Sequence, residues 1–436
     1  MGAFSVFSDR KRKKQKPIEN TPTVAQYYEI RARRVSMARW LCMLCTVLLV
    51  VYGFAVHGDE LTVDNFRYML KFVEFAEKES EGVSLVTFDY GEENRGALYK
   101  GDVVVLNKSG LSIYSEEADR VLNVAFRMED PRLAVSGTGI LAYDLGGYEV
   151  RMFNSYSQLA LLSMSYPVYG LCVSDAGNFA VITSEKNYRT SVIVYDQYAK
   201  ERYHRALSTA FVDQVSLSSD GEKLLTLGHS SKGGSLVTTV QCCSLKQEDP
   251  LQTFTYTGEL PLKVSWMTDH TYAVLTGEAL RVFDTEKEDP VATYSLADVS
   301  LQNCEIIGDR ILLVLSAEGL SGGTVLHALD GGLNTLFTAS FEGSIEDLES
   351  IGNETYVLMM GVVTKLSADG KTRTLTEVSK DVLSILKTAE GEPLLFEKSR
   401  VLRLADATAD QNRAEEFLPL DEPDETTSVL SVPPEE

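Results

Sequence analysis

The chain has 436 residues, 44% hydrophobic and 24% charged, with 31 glycines, 12 prolines and six cysteines. That is enough for one large domain or two ordinary ones, and it excludes a collagen-like, wholly disordered or disulfide-dense protein. The net charge of −22 argues against nucleic acid as a partner, because phosphate contacts need lysine and arginine.

The charge is unevenly spread. Residues 1–39 carry ten basic and three acidic side chains, which leaves 31 basic and 60 acidic ones for the rest. Residues 1–38 read as a basic, partly disordered cytoplasmic tail with Pro17 and Pro22. Its basic run can hold anionic lipid headgroups, or serve only as a topology signal.

Next comes Trp40–Val56, WLCMLCTVLLVVYGFAV, without a charge. At ~1.5 Å per residue it covers roughly 26 Å, so a helix over 39–57 is expected to span a bilayer nearly upright. Trp40, Leu41, Leu44, Leu48, Leu49, Val50, Val51, Tyr52 and Phe54 would anchor it in membrane lipid. Arg31, Arg33, Arg34 and Arg39 precede it and Asp59 and Glu60 follow, which puts the N-terminus in the cytoplasm and the bulk of the chain outside. A cleaved secretory signal fits less well, since no small-residue cleavage site follows. Cys42 and Cys45 have redox-motif spacing but no βαβ context, so they read as apolar filler.

Residues 58–80 form an expected juxtamembrane amphipathic helix. Phe66, Met69, Leu70, Val73 and Ala76 recur at helical spacing after a capping Thr62 or Asp64.

From about Val83 the chain turns to short β-rich runs and turn signals such as Asp175–Gly177, Asp220–Gly221, Gly308–Asp309 and Gly352–Asn353. One phrase repeats. Its best copies are Ser191–Leu207 and Leu280–Leu296, and weaker ones start at Leu111 and Val150. Alignment puts Tyr114, Phe153, Tyr195 and Phe283 in register, with degenerate copies at Cys243, Leu329, Leu366 and Leu404. A mean spacing of about 41 residues is that of four-stranded propeller blades. The fold class is therefore all-β, a β-propeller over 81–410 of about eight, alternatively seven, four-stranded blades. Val83–Phe88 is placed to pair near Leu394–Leu404 and close the ring. An array of two sandwich domains is the structural alternative. Residues 411–436 read as an acidic disordered tail, and Asp421, Glu422, Asp424 and Glu425 lack calcium-loop spacing.

No catalytic, cofactor-binding or metal-ligating set emerges. Gly137–Gly139 matches a loose dinucleotide motif but is followed by strand and turn. Gly228–Ser235 is glycine-rich around a lysine in the wrong order for a phosphate loop, and a hairpin in the fourth blade explains it. The five histidines show no ligand pairing, and Cys172, Cys242, Cys243 and Cys304 leave a disulfide unassigned.

A basic tail, one span, a juxtamembrane helix and blade phrases such as Val192–Asp196 and Val282–Asp284 resemble an uncharacterised family. It is a domain-of-unknown-function family of single-pass membrane-anchored propeller-like proteins of Gram-positive, largely clostridial bacteria. The resemblance covers about Arg31 to Ala407 and implies a bacterial cell membrane with the domain outside. It brings no catalytic residues. The expected function is a non-enzymatic binding or scaffold module for an envelope protein, peptide or glycan. The alternative is an envelope-sugar hydrolase or lyase using acids at the propeller axis. A sensor ranks last, since residues 1–39 are too few for a folded signalling domain.

Overall fold

A computed structural model describes residues 33, 35–48, 86–91, 93–115, 118–297, 299–316, 323–388 and 393–407. The chain divides into two units, Met1–Glu77 and Lys78–Glu436.

In the first unit, residues 35–48 are helical. The described part of this helix covers about 21 Å of the ~30 Å of a bilayer core. Among the described residues no helix is long and apolar enough to cross a membrane. The expected spanning helix over 39–57 is thus not shown, and its second half lies outside the described residues. So do the expected juxtamembrane helix over 58–80 and the tail over 411–436.

The second unit holds eight sheets of four antiparallel strands. Seven are built from four consecutive strands, innermost first. Blades 1 to 7 occupy 95–125, 131–163, 168–207, 211–257, 261–295, 301–342 and 347–377. The eighth takes Val382–Leu386, Leu394–Glu397 and Arg400–Arg403 from the C-terminal end and Val86–Thr87 from the N-terminal side. Val86 pairs with Val401 and Thr87 with Arg400, as the sequence led us to expect. This closure gives the last blade an outer strand from the opposite end of the domain, so the seven-blade and two-sandwich alternatives fall.

The repeating phrase is the third strand. Tyr114, Phe153 and Tyr195 end the third strands of blades 1 to 3, and Phe283, Cys243, Leu329 and Leu366 hold equivalent places in later blades. These residues are buried, and several stack on a neighbouring ring, as Tyr195 does on Phe179 at 5.2 Å. The four turn signals named from the sequence all join an inner strand to its second strand. Glycines at positive φ, 85° at Gly177 and 67° at Gly221, make those turns without strain. Gly233 and Gly234, at 63° and 85°, close the long hairpin Lys223–Lys232 to Ser235–Ser244, which accounts for the glycine-rich Gly228–Ser235 stretch.

The core is a ring of inter-blade sandwiches. Leu225, Leu227 and Val240 of blade 4 pack on Val264, Tyr272 and Val274 of blade 5. Leu312 and Val314 of blade 6 pack on Leu348 and Val357 of blade 7. Adjacent Cys242 and Cys243 point to opposite sides, one toward blade 5 and one toward blade 3. All four cysteines of this unit are free, and burial pushes the thiols of Cys172, Cys242 and Cys304 up to about 12, so they act as inert apolar filler.

Candidate binding surface

Antiparallel order fixes which loops share an end. The turn from second to third strand and the crossover from outer strand to the next inner strand emerge at one end of the ring, here called the crossover end. The other turns emerge at the opposite end.

At the crossover end the inner strands begin with irregularities. Blades 3, 4, 5, 6 and 8 each skip one residue near the start of that strand, at Tyr169, Asp213, Leu262, Gln302 and Leu383. A bulge re-aims a side chain, and repeated around a ring it turns residues to the mouth.

The same end carries most of the exposed large apolar side chains outside the sheets' outer strands. Tyr90 stands on the crossover from blade 8 to blade 1, Tyr148 on a turn of blade 2, and Tyr169 and Tyr188 on blade 3. Phe211 opens blade 4, Leu260 and Val299 lie on the next crossovers, and Met360 caps blade 7 at 69% exposure. The opposite end presents only Tyr198 and Val291 among the described residues. Singly, exposed apolar residues need no explanation, but eight concentrated on one end, four of them Tyr, have the composition of a docking surface.

One crossover at this end is pinned by an ion pair. Arg281 grips Glu259 with two parallel bonds of 2.8 Å and stacks its guanidinium 4.1 Å from the Tyr256 ring centre, which pins the crossover 258–260. The pairing holds the Glu259 carboxyl below the usual range against the opposing effect of burial.

Inside the ring the inner strands have an unpaired edge whose backbone groups need partners. Side chains from the preceding blade supply several. Gln214 and Ser216 of blade 4 accept from the amides of Val264 and Trp266 in blade 5, at 3.3 and 3.4 Å. Lys263 of blade 5 donates to the carbonyl of Cys304 and to Glu305 of blade 6, both at 2.7 Å. Asp347 of blade 7 accepts from the amide of Ile385 in blade 8 at 2.7 Å. Burial raises the Asp347 carboxyl, partly offset by the backbone amides, and the Glu305 charge raises it further. Glu349, two residues on and so on the same face, is likewise raised by burial.

A peripheral groove of about 530 Å³ lies between the outer strand of blade 3 at Tyr203–Leu207 and the loop 245–250 of blade 4. Arg205 crosses it to the carbonyl of Glu248 at 2.9 Å and so fills part of it with a structural bond.

The residues assigned to the anchor are divided. Trp40, Leu41, Leu44 and Leu48 lie on the helix 35–48 and are exposed, with Arg33 and Arg39 on the same segment. Leu49, Val50, Val51, Tyr52, Phe54, Arg31 and Arg34 lie outside the described residues. The crossover-end residues escaped the sequence reading, because scattered loop aromatics have no period. The inner-strand polar residues escaped it because their role depends on which strand lies beside them.

No protein of curated function matches this chain. Among solved structures, the computationally designed Ika8 protein is similar at a TM-score of 0.54 and 10% identity, over 74% of this chain and 100% of that one. The C-terminal WD40 domain of Sif2 is similar at 0.50 and 12%, over 74% and 97%. BamB from Moraxella catarrhalis gives 0.49 and 14%, over 73% and 96%. At such identities the first two likenesses show the fold alone. Residues 78–402 match a family of unknown function, and that stretch coincides with the ring from just before its closing strand to its last strand, so the chain belongs to DUF5711.

Proposed function

We propose that this chain is a membrane-tethered, non-enzymatic binding or scaffold module, whose propeller stands outside the cell membrane and docks a protein on its crossover end. The observation that carries the docking is the gathering of Tyr90, Tyr148, Tyr169, Phe211, Leu260 and Met360 at one end of a rigid ring. Two features support the tether. The helix 35–48 presents Trp40, Leu41, Cys42, Met43 and Leu44 in succession, an apolar surface all the way round, and all five are exposed. Such a helix needs a lipid or protein cover. The arginines before it and acids after it orient it with the ring outside.

The alternative, an envelope-sugar hydrolase or lyase, has one observation in its favour: Glu305, Asp347 and Glu349 lie on adjacent inner strands, two of them with raised carboxyl pKa. Glu305 is held by Lys263 and Asp347 by the Ile385 amide, so two of the three already join neighbouring blades.

The test uses the full chain in its native membrane. Alanine at Tyr169, Leu260 and Met360 together is expected to dissociate the native complex on a non-denaturing gel while the melting temperature stays unchanged. Alanine at Tyr198 and Val291 is expected to leave the complex intact. A complex lost only with the second set contradicts the reading. A membrane-impermeant amine reagent is expected to label the exposed Lys186 and Lys232 in intact cells, and labelling only after lysis would contradict the topology.

A further inference from the structure

At the junction of blades 3 and 4 the crossover end changes character. The Arg189 guanidinium lies 5.0 Å from the Phe211 ring centre, and that ring stacks on His229 at 5.5 Å. His229 Nδ1 lies 2.7 Å from Asp213 Oδ2, which orients the imidazole. The stack bridges both blades, and the amide of Val212 donates to Thr190 Oγ1 at 3.2 Å beside it. Phe211 is 42% exposed and Arg189 is exposed.

The charges here are one-sided in what they leave free. Among the described residues Arg189 has the ring stack as its one interaction, and Lys186 and Lys232, on the two adjoining hairpins, form no ion pair. The nearby carboxylates are committed, Asp213 to His229 and Glu185 to His204 at 2.9 Å. In a chain of net charge −22 this corner is unusual, with three cations in no ion pair against two carboxylates each bonded to a histidine. A guanidinium fixed over a ring loses little side-chain entropy on pairing, and its fork matches a carboxylate.

Resting on the docking reading above, the geometry points to this corner as the subsite for an acidic segment of the protein partner. A carboxylate of that segment pairs with Arg189, its neighbours lie between Lys186 and Lys232, and its apolar side chains continue onto Phe211, Tyr188 and Tyr169. A polypeptide fits better than an acidic glycan because the next crossover presents aliphatic Leu260, which sugar faces do not use.

The experiment uses the full chain in detergent and a fluorescent twelve-residue peptide of alternating Glu and Leu. Fluorescence anisotropy is expected to show saturable, salt-sensitive binding. Arg189→Glu is expected to weaken it by about tenfold or more, and Phe211→Ala by several-fold. Arg189→Lys should fall between wild type and Arg189→Glu, because it keeps the charge and loses the fork. The matching Lys and Leu peptide should not bind. Binding indifferent to Arg189→Glu overturns the assignment, and so does dextran sulfate displacing the peptide at lower charge concentration, which would mark a general polyanion site. A self-association of the chain that Arg189→Glu abolishes would also overturn it, by giving the corner to a second copy. If Arg189→Glu leaves the native complex intact while alanine at Leu260 and Met360 removes it, the docking end stands and the acidic subsite falls.

Discussion

Asp347 shows how a single side chain in this ring serves two demands. Its carboxylate caps the free inner edge of blade 8 through the Ile385 amide, yet burial disfavours its charge. A carboxyl raised in the folded state contributes its stability in the protonated form. That contribution is complete below the unfolded value of about 4 and is lost as pH rises through the folded value. Asp347→Asn keeps an acceptor oxygen for the amide and removes the buried charge. Its melting temperature is therefore expected to exceed that of the natural chain at pH 8, with the gap closing below about pH 4. Asp347→Ala instead leaves the amide unpaired and is expected to cost about 1–3 kcal/mol in denaturant unfolding at either pH. A gap between Asn and Asp that does not change with pH would contradict this account.

At the scale of the element, the shortest strand has the largest consequence. Val86–Thr87 is two residues long, but Val86 is fully buried against Val401 and the Phe396 cluster and completes the eighth blade. Val86→Asp places an unpaired charge there and is expected to cost more than about 3 kcal/mol in chemical denaturation. The same change at exposed Val299 should move the midpoint hardly at all. The third strands were the part of the fold most legible in the sequence. In blades 1, 2, 3 and 5 a large buried ring sits at or next to the end of this strand, so Tyr114, Phe153, Tyr195 and Phe283 keep a common register that counting can find. The turns were legible because Gly177, Gly221, Gly308 and Gly352 supply positive φ where a side chain would strain. Inner strands were not. Lys263 and Asp347 break the apolar alternation because they answer the backbone of a strand more than 30 residues away, and Glu305 because it answers Lys263. The crossover-end residues were invisible for a different reason, since a tyrosine in a loop looks the same whether it is bound or bare.

On the scale of the whole domain, the ring has two unequal ends. The inter-blade sandwiches and closing strand fix the scaffold, and the bulged inner strands and crossover loops gather apolar and aromatic side chains mainly at one end. The proposed tether confines that surface near the membrane, where a weak contact gains from high local concentration. The most direct measurement places a photo-crosslinking amino acid, in intact cells making the full chain, at Tyr169 or Met360 on one end and at Tyr198 or Val291 on the other. Adducts to one shared protein from the first pair, with none from the second, are the predicted result. Adducts from the second pair alone, or from neither, would contradict it.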